Sequence, residues 1–260
     1  MKKYLVIISL ACAASMYASE KTIINYAKGP VKQITINKNL NDGRVQKQMY
    51  WYDSISRLVE EAHYLDDALQ YGYVYQYHSD VFCMQYLYNS SGLVDGWYTQ
   101  IRLDSAGNRI ACRTYTSGNF FHADSTVYDA HGNKLKIYYI NQDKPEAPIL
   151  MTTYEYDSLG RLYKYGGEGM ECWIEYLPNG NYIEHHATSV YIDPSSEKTN
   201  VMKEEETFIL NQEGEIAEIK GPAQHLVYSN FDRHGNWRKL KCTNKTSGTT
   251  TTTRVIEYYE

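Results

Sequence analysis

Apolar and polar residues alternate one by one along much of this chain. Lys134-Leu135-Lys136-Ile137-Tyr138 sets Leu135 and Ile137 on one face and the lysines on the other, and Glu171-Cys172-Trp173-Ile174-Glu175-Tyr176 separates Cys172, Ile174 and Tyr176 from the glutamates. A period of two is the mark of a strand with one buried and one wet face. The tyrosine-rich run from Tyr71 to Tyr77 alternates in the same way. The pattern predicts an all-β chain. Around Glu60 to Tyr86 turn signals thin out, and a short helix over residues 56–69 competes with two strands joined at Leu65-Asp66-Asp67-Ala68.

The alternating segments are separated by a recurring turn. Tyr128-Asp129-Ala130-His131-Gly132-Asn133 returns as Phe231-Asp232-Arg233-His234-Gly235-Asn236, as Tyr156-Asp157-Ser158-Leu159-Gly160-Arg161 and as Leu103-Asp104-Ser105-Ala106-Gly107-Asn108. Weaker copies stand at Tyr52-Asp53, with Ser56 where glycine is expected, at Tyr88-Asn89 and at Leu210-Asn211, and shortened ones at Leu40-Asn41 and Leu177-Pro178. Each position has a physical reason. A bulky residue ends the incoming strand on its buried face, and Asp or Asn accepts a hydrogen bond from the N–H two residues on. Glycine supplies the positive φ of the reversal, and Asn, Arg or Lys follows on the solvent side. The expected turn residues are Asp53, Asp104, Gly107, Asp129, Gly132, Asp157, Gly160, Asp232 and Gly235. Between consecutive tips the chain must reverse at the opposite end, and candidate loops lie at 116–119, 141–148, 166–169, 192–200, 221–224 and 244–249.

These tips resemble the YD repeat of the RHS family, whose unit reads roughly Y-D-x-x-G-R/N-L/W, from about Leu40 to Phe231 and beyond. The closing segment, from Phe231 through the threonine-rich run to Ile256-Glu257-Tyr258-Tyr259, is similar to short exported YD-repeat proteins of the Bacteroidetes type. In the large members the resemblance implies a spiral β-shell that encloses a toxin or carries surface recognition. No RHS core signature is recognisable in this chain. The fold expected at this length is an antiparallel β-hairpin meander of YD-type repeats, forming a curved open sheet or a partly closed barrel or shell, with Thr249 to Thr253 as a polar edge.

The amino-terminal pattern changes the address. Lys2 and Lys3 precede an apolar run from Tyr4 to about Ala14 and then small residues, which predicts a signal peptide over residues 1–18 with cleavage near 15–18 and one repeat domain over 19–260. A competing reading is a lipid anchor at Cys12 within Ser9-Leu10-Ala11-Cys12. The protein is thus expected to be exported, in the periplasm, at the surface or outside the cell. Losing Lys2 and Lys3 takes the formal charge from −5 to about −7, which speaks against nucleic-acid and polybasic membrane binding. No later segment is long enough for a membrane-spanning helix, and a lipid-facing barrel is disfavoured because one face of most strands carries Lys, Arg or Glu and the mean hydropathy is −0.56. Cys83, Cys112, Cys172 and Cys242 remain in the mature chain, with two disulfides and buried free thiols as the alternatives.

Candidate chemistry is sparse. There is no P-loop, dinucleotide fingerprint, H-E-x-x-H or G-x-S-x-G. His131 and His234 occupy one slot of a structural repeat, which makes them turn residues, and the tip aspartates lack the doubled glycine pattern of a calcium array. His185 and His186 point to opposite faces of a strand and cannot readily share a metal. No catalytic residue, metal or cofactor is expected. The 27 tyrosines and four tryptophans exceed what a thin sheet can bury. Tyr73, Tyr75, Trp97, Trp173 and Trp237 are the candidate binding aromatics, for stacking on a glycan or an envelope or secreted protein. A scaffold or binding protein is the expected function, with an exported carbohydrate-active enzyme of unrecognised carboxylate site as the alternative.

Overall fold

The computed structural model describes residues 27–141, 143–144, 146–193 and 198–260. The expected signal peptide and Cys12 lie outside them. In chain order the strands are β1 (Val31–Asn39), β2 (Val45–Tyr52), β3 (Leu58–Leu65), β4 (Ala68–Ser79), β5 (Phe82–Asn89), β6 (Gly92–Leu103), β7 (Arg109–Thr116), β8 (Asn119–Tyr128) and β9 (Lys134–Asn141). They continue as β10 (Ile149–Tyr156), β11 (Leu162–Gly167), β12 (Met170–Tyr176), β13 (Tyr182–Asp193), β14 (Lys198–Leu210), β15 (Ile216–Lys220), β16 (Gln224–Ser229), β17 (Lys239–Asn244) and β18 (Gly248–Tyr258).

Each strand pairs antiparallel with the next, and β1 pairs with both β2 and β18, so the 18 strands close into a barrel. Closure removes the sheet edges. The polar edge expected at Thr249 to Thr253 is therefore an interior strand: Thr253 faces Asn37 of β1 on one side and Lys239 of β17 on the other. The helix that competed for residues 56–69 does not form, because Asp66 and Asp67 both take positive φ and turn β3 into β4. Among the described residues, extensive packing joins ring neighbours only. A barrel this wide leaves an aqueous lumen.

The tips explain why the chain turns where it does. In five of them the Asp Oδ1 accepts the N–H two residues on and the N–H four residues on, at 2.8–3.1 Å. In all of these but Asp232, the Oδ2 accepts the side chain of the residue after the glycine position: Arg57 and Arg161 at 2.8 Å, Asn108 and Asn133 at 2.9 Å. That residue does not simply face solvent, as the sequence pattern had it; it clamps the turn. Ser56 takes the glycine role at φ 65°. Tyrosines knit one unit to the next, since Tyr77, Tyr128 and Tyr176 donate to the carbonyls of Leu58, Arg109 and Leu162, each the fifth residue after a tip Asp.

Strand alternation places the tips at 53–57, 104–108, 129–133, 157–161, 177–181, 211–215 and 232–236 on one rim, and the variable loops on the other. The last tip departs from the rest. The Asn236 backbone N–H still donates to Asp232 Oδ1 at 3.0 Å, but its side chain bonds the chain's beginning instead, accepting from Lys28 N–H at 2.7 Å and donating to Lys28 O at 2.9 Å and Tyr258 Oη at 2.8 Å. Tyr258 then donates to Asp232 Oδ2. The turn that elsewhere closes only a hairpin here also ties the last tip to both sides of the β1–β18 seam.

Candidate functional site

The register defines two faces. The inward one carries Ile34, Ile36, Tyr50, Cys83, Ile101, Cys112, Tyr154, Tyr165, Cys172, Phe208, Ile219, Tyr228 and Ile256, all at most 9% exposed. Among the described residues, Cys83, Cys112, Cys172 and Cys242 are free thiols, the first three of them buried.

On this inward face an aromatic ladder crosses the barrel wall from β2 to β6. Tyr50 meets His63 edge-on at 6.4 Å between centroids, His63 stacks on Tyr71 at 4.5 Å, Tyr71 meets Tyr73 at 5.9 Å and Tyr73 meets Trp97 at 5.6 Å. Cross-strand pairing of alternating residues produces it: Tyr50 opposes Glu61, His63 opposes Tyr71 and Glu61 opposes Tyr73. Tyr71 is 41% exposed, so the middle of the ladder is open to water, whereas Tyr50 at its β2 end is 3% exposed.

Polar groups are set into this apolar strip. Gln85 Nε2 donates to the Tyr75 hydroxyl at 2.9 Å. Burial pushes the Glu61 carboxyl up to about 7, against the opposing Tyr75 hydrogen bond. Burial also lowers the His63 pKa, keeping that ring neutral. Rings with a carboxyl, a neutral imidazole, amides and phenols among them offer both faces to stack on and groups to bond hydroxyls.

The expected aromatics divide among three environments. Tyr73, Tyr75 and Trp97 all lie on the inward ladder face. Trp173 stands on the outer wall, 37% exposed and stacked on His185 at 5.0 Å. Trp237 is 7% exposed, packed with Phe208, Ile219 and Tyr228 beneath the Arg254 guanidinium, and has little ring to offer a ligand. Sequence alternation had marked Tyr71 to Tyr77 but not Tyr50, Glu61 or His63, which only cross-strand register brings alongside. The tip aspartates are each held by their own turn. Hydrogen bonds from the Asn108 and Asn133 side chains, reinforced by backbone N–H groups, hold Asp104 and Asp129 below the usual carboxylate range.

A second inward cluster lies on β12 to β14, near the rim of variable loops. Cys172 is the direct cross-strand partner of His186, and Glu184, two residues along β13, shares its face and opposes Glu206 of β14. Burial, then the Glu206 charge, pushes Glu184 up to about 7. The donor atoms of Cys172, Glu184 and His186 all lie within 4.8 Å of one another. His185 does point the other way, to Glu175 and Glu205 on the outer wall, so the paired histidines are separated as alternation requires. What alternation alone does not reveal is that Cys172 joins His186 from the adjacent strand.

No family model matches the chain, and no curated protein matches it. Among solved structures it is similar to a porin-like protein from Bacteroides uniformis, at 13% identity and a TM-score of 0.48 over 90% of this chain and 100% of that one. It is also similar to a chain of the TcdB2-TccC3-Cdc42 complex, at 10% identity and a TM-score of 0.33, over 81% of this chain and 14% of that one.

Proposed function

We propose that this chain is an exported, non-catalytic YD-repeat barrel that binds glycan on its inward aromatic ladder. The observation that carries the proposal is the unbroken run Tyr50, His63, Tyr71, Tyr73 and Trp97 beside Glu61, with Tyr71 at its centre 41% exposed. Sugar rings present C–H faces to aromatic rings and hydroxyls to carboxyls and amides, and this strip offers both. The outer wall supports placement in water, since Lys47, Glu60, Lys136, Glu155, Lys164, Glu171 and Lys241 point outward from strands around the ring. A lipid-facing band bearing such charges would cost about 2–4 kcal/mol for each Lys near mid-membrane.

The experiment is a glycan array with the mature chain, followed by titration of any retained glycan against Trp97→Ala and Tyr73→Ala, with the outward Trp173→Ala as control. Loss of one stacking ring should weaken binding by up to about tenfold, the equivalent of about 1.4 kcal/mol, while the control binds as before. An empty array, or retention untouched by both ladder variants, removes the proposal.

The enzyme reading has one observation in its favour: Glu184 and Glu206 face each other across β13 and β14 on the inward side, and paired carboxylates are the equipment of glycosidases. We favour binding because these acids stand among Cys172 and His186 rather than along the aromatic ladder. Release of reducing ends from a bound glycan, abolished by Glu206→Gln, would reverse that preference.

A further inference from the structure

We propose that Cys172, Glu184 and His186 form a binding site for a divalent transition-metal ion of the zinc class. The three side chains rise from two paired strands on one face, Cys172 directly opposite His186. Their donor atoms lie within 4.8 Å of one another. Tetrahedral zinc with bonds of about 2.0–2.3 Å needs its ligand atoms about 3.3–3.8 Å apart, so small side-chain rotations complete the geometry without moving the strands.

An independent observation points to a missing partner. His186 Nε2 is sealed from solvent and makes no hydrogen bond, although the Glu184 carboxylate stands 3.5 Å away. A buried imidazole nitrogen without a partner is costly, and a bound cation satisfies it. The surroundings fit a cation. Glu206 opposes Glu184 and Glu204 opposes His186 on the adjoining strand, so carboxylates gather beside the three donors. The Tyr165 hydroxyl, 3.5 Å from Glu184 Oε2, is placed to orient that ligand from outside.

The donor set selects the metal. Thiolate, imidazole and one carboxylate suit zinc and its neighbours, whereas calcium and magnesium require oxygen ligands throughout. Binding exchanges the Cys172 S–H proton, released to solvent, for the metal–sulfur bond. Three protein ligands leave a fourth position for a water molecule or a further donor. The site is separate from the aromatic ladder, so its fate does not depend on glycan binding.

The test uses the reduced, metal-free, untagged mature chain, with circular dichroism confirming the fold. Titration with cobalt(II) should give a thiolate-to-metal charge-transfer band that saturates at one ion per chain, is lost in Cys172→Ser and persists in Cys242→Ser. In competition with a chromophoric chelator, His186→Gln and Glu184→Gln should each weaken zinc binding by about tenfold or more. A folded wild-type chain with no charge-transfer band overturns the proposal, as does a band that survives in folded Cys172→Ser. Should Cys172→Ser fail to fold, the wild-type band together with the two competition measurements decides: unchanged affinity in both variants also overturns it.

Discussion

Glu61→Gln should stabilise the barrel in neutral and alkaline solution and do little in mild acid. Glu61 sits on the inward face among Tyr50, Tyr71, Tyr73 and Tyr75, with His63 next along its own strand. Burial raises it from 4.5 to about 7. A raised carboxyl favours its protonated form in the folded state, so its contribution is fully present below the unfolded value and is lost as pH climbs through the folded one. The loss therefore runs from about pH 4.5 to about pH 7. The full shift corresponds to about 3 kcal/mol at most, and water in the lumen should reduce the effect to about 1–2 kcal/mol. Glutamine keeps a side chain of the same length with one oxygen acceptor and removes the charge. His63, lowered by burial, has the opposite slope, but it is present in both proteins and cancels in their difference. Asp104 and Asp129, held low by their turns, lose their contribution only as pH falls through their lowered values, beneath this window. Urea denaturation followed by tryptophan fluorescence, with both proteins at about pH 8 and about pH 4.5, measures the difference. A gain equal at the two pH values, or a loss at the higher one, would refute the assignment of Glu61 as a strained buried carboxyl.

Three further outcomes follow from the packing. Asn236→Ala should cost about 1–3 kcal/mol, because it strips the latch between the last tip, Lys28 and Tyr258, and hydrogen exchange should rise first along β1 and β18; uniform protection would argue against a closing role. Ser56→Gly should raise the denaturation midpoint by the equivalent of about 0.5–1 kcal/mol, since the residue holds φ 65°, and a drop would show that the serine side chain matters more than the backbone. Gly72→Ala should destabilise by about 1–3 kcal/mol, because a Cβ there would stand 2.3 Å from the Tyr88 ring and 2.5 Å from the Glu61 carbonyl; a neutral thermal melt would mean Tyr88 moves freely.

Much of the architecture is local and so was legible in the chain. A period of two places Cys172 and Ile174 on one face and Trp173 on the other whatever the neighbouring strand, and an Asp four residues before Asn or Arg, with glycine between, closes its turn from its own atoms. Alternation also separates His185 from His186 without reference to anything else. Closure was not legible, because it pairs β1 with β18 and joins Asn236 to Lys28 across almost the entire sequence. The same limit hid both candidate sites. Glu61 joins Tyr73, and Cys172 joins His186, through strand register, a pairing between residues that alternation within either strand leaves free. Trp237 shows the reverse: its sequence marks an aromatic at a turn, and only the tertiary structure, by folding Phe208, Ile219 and Tyr228 around it, turns that ring from a surface into part of the core.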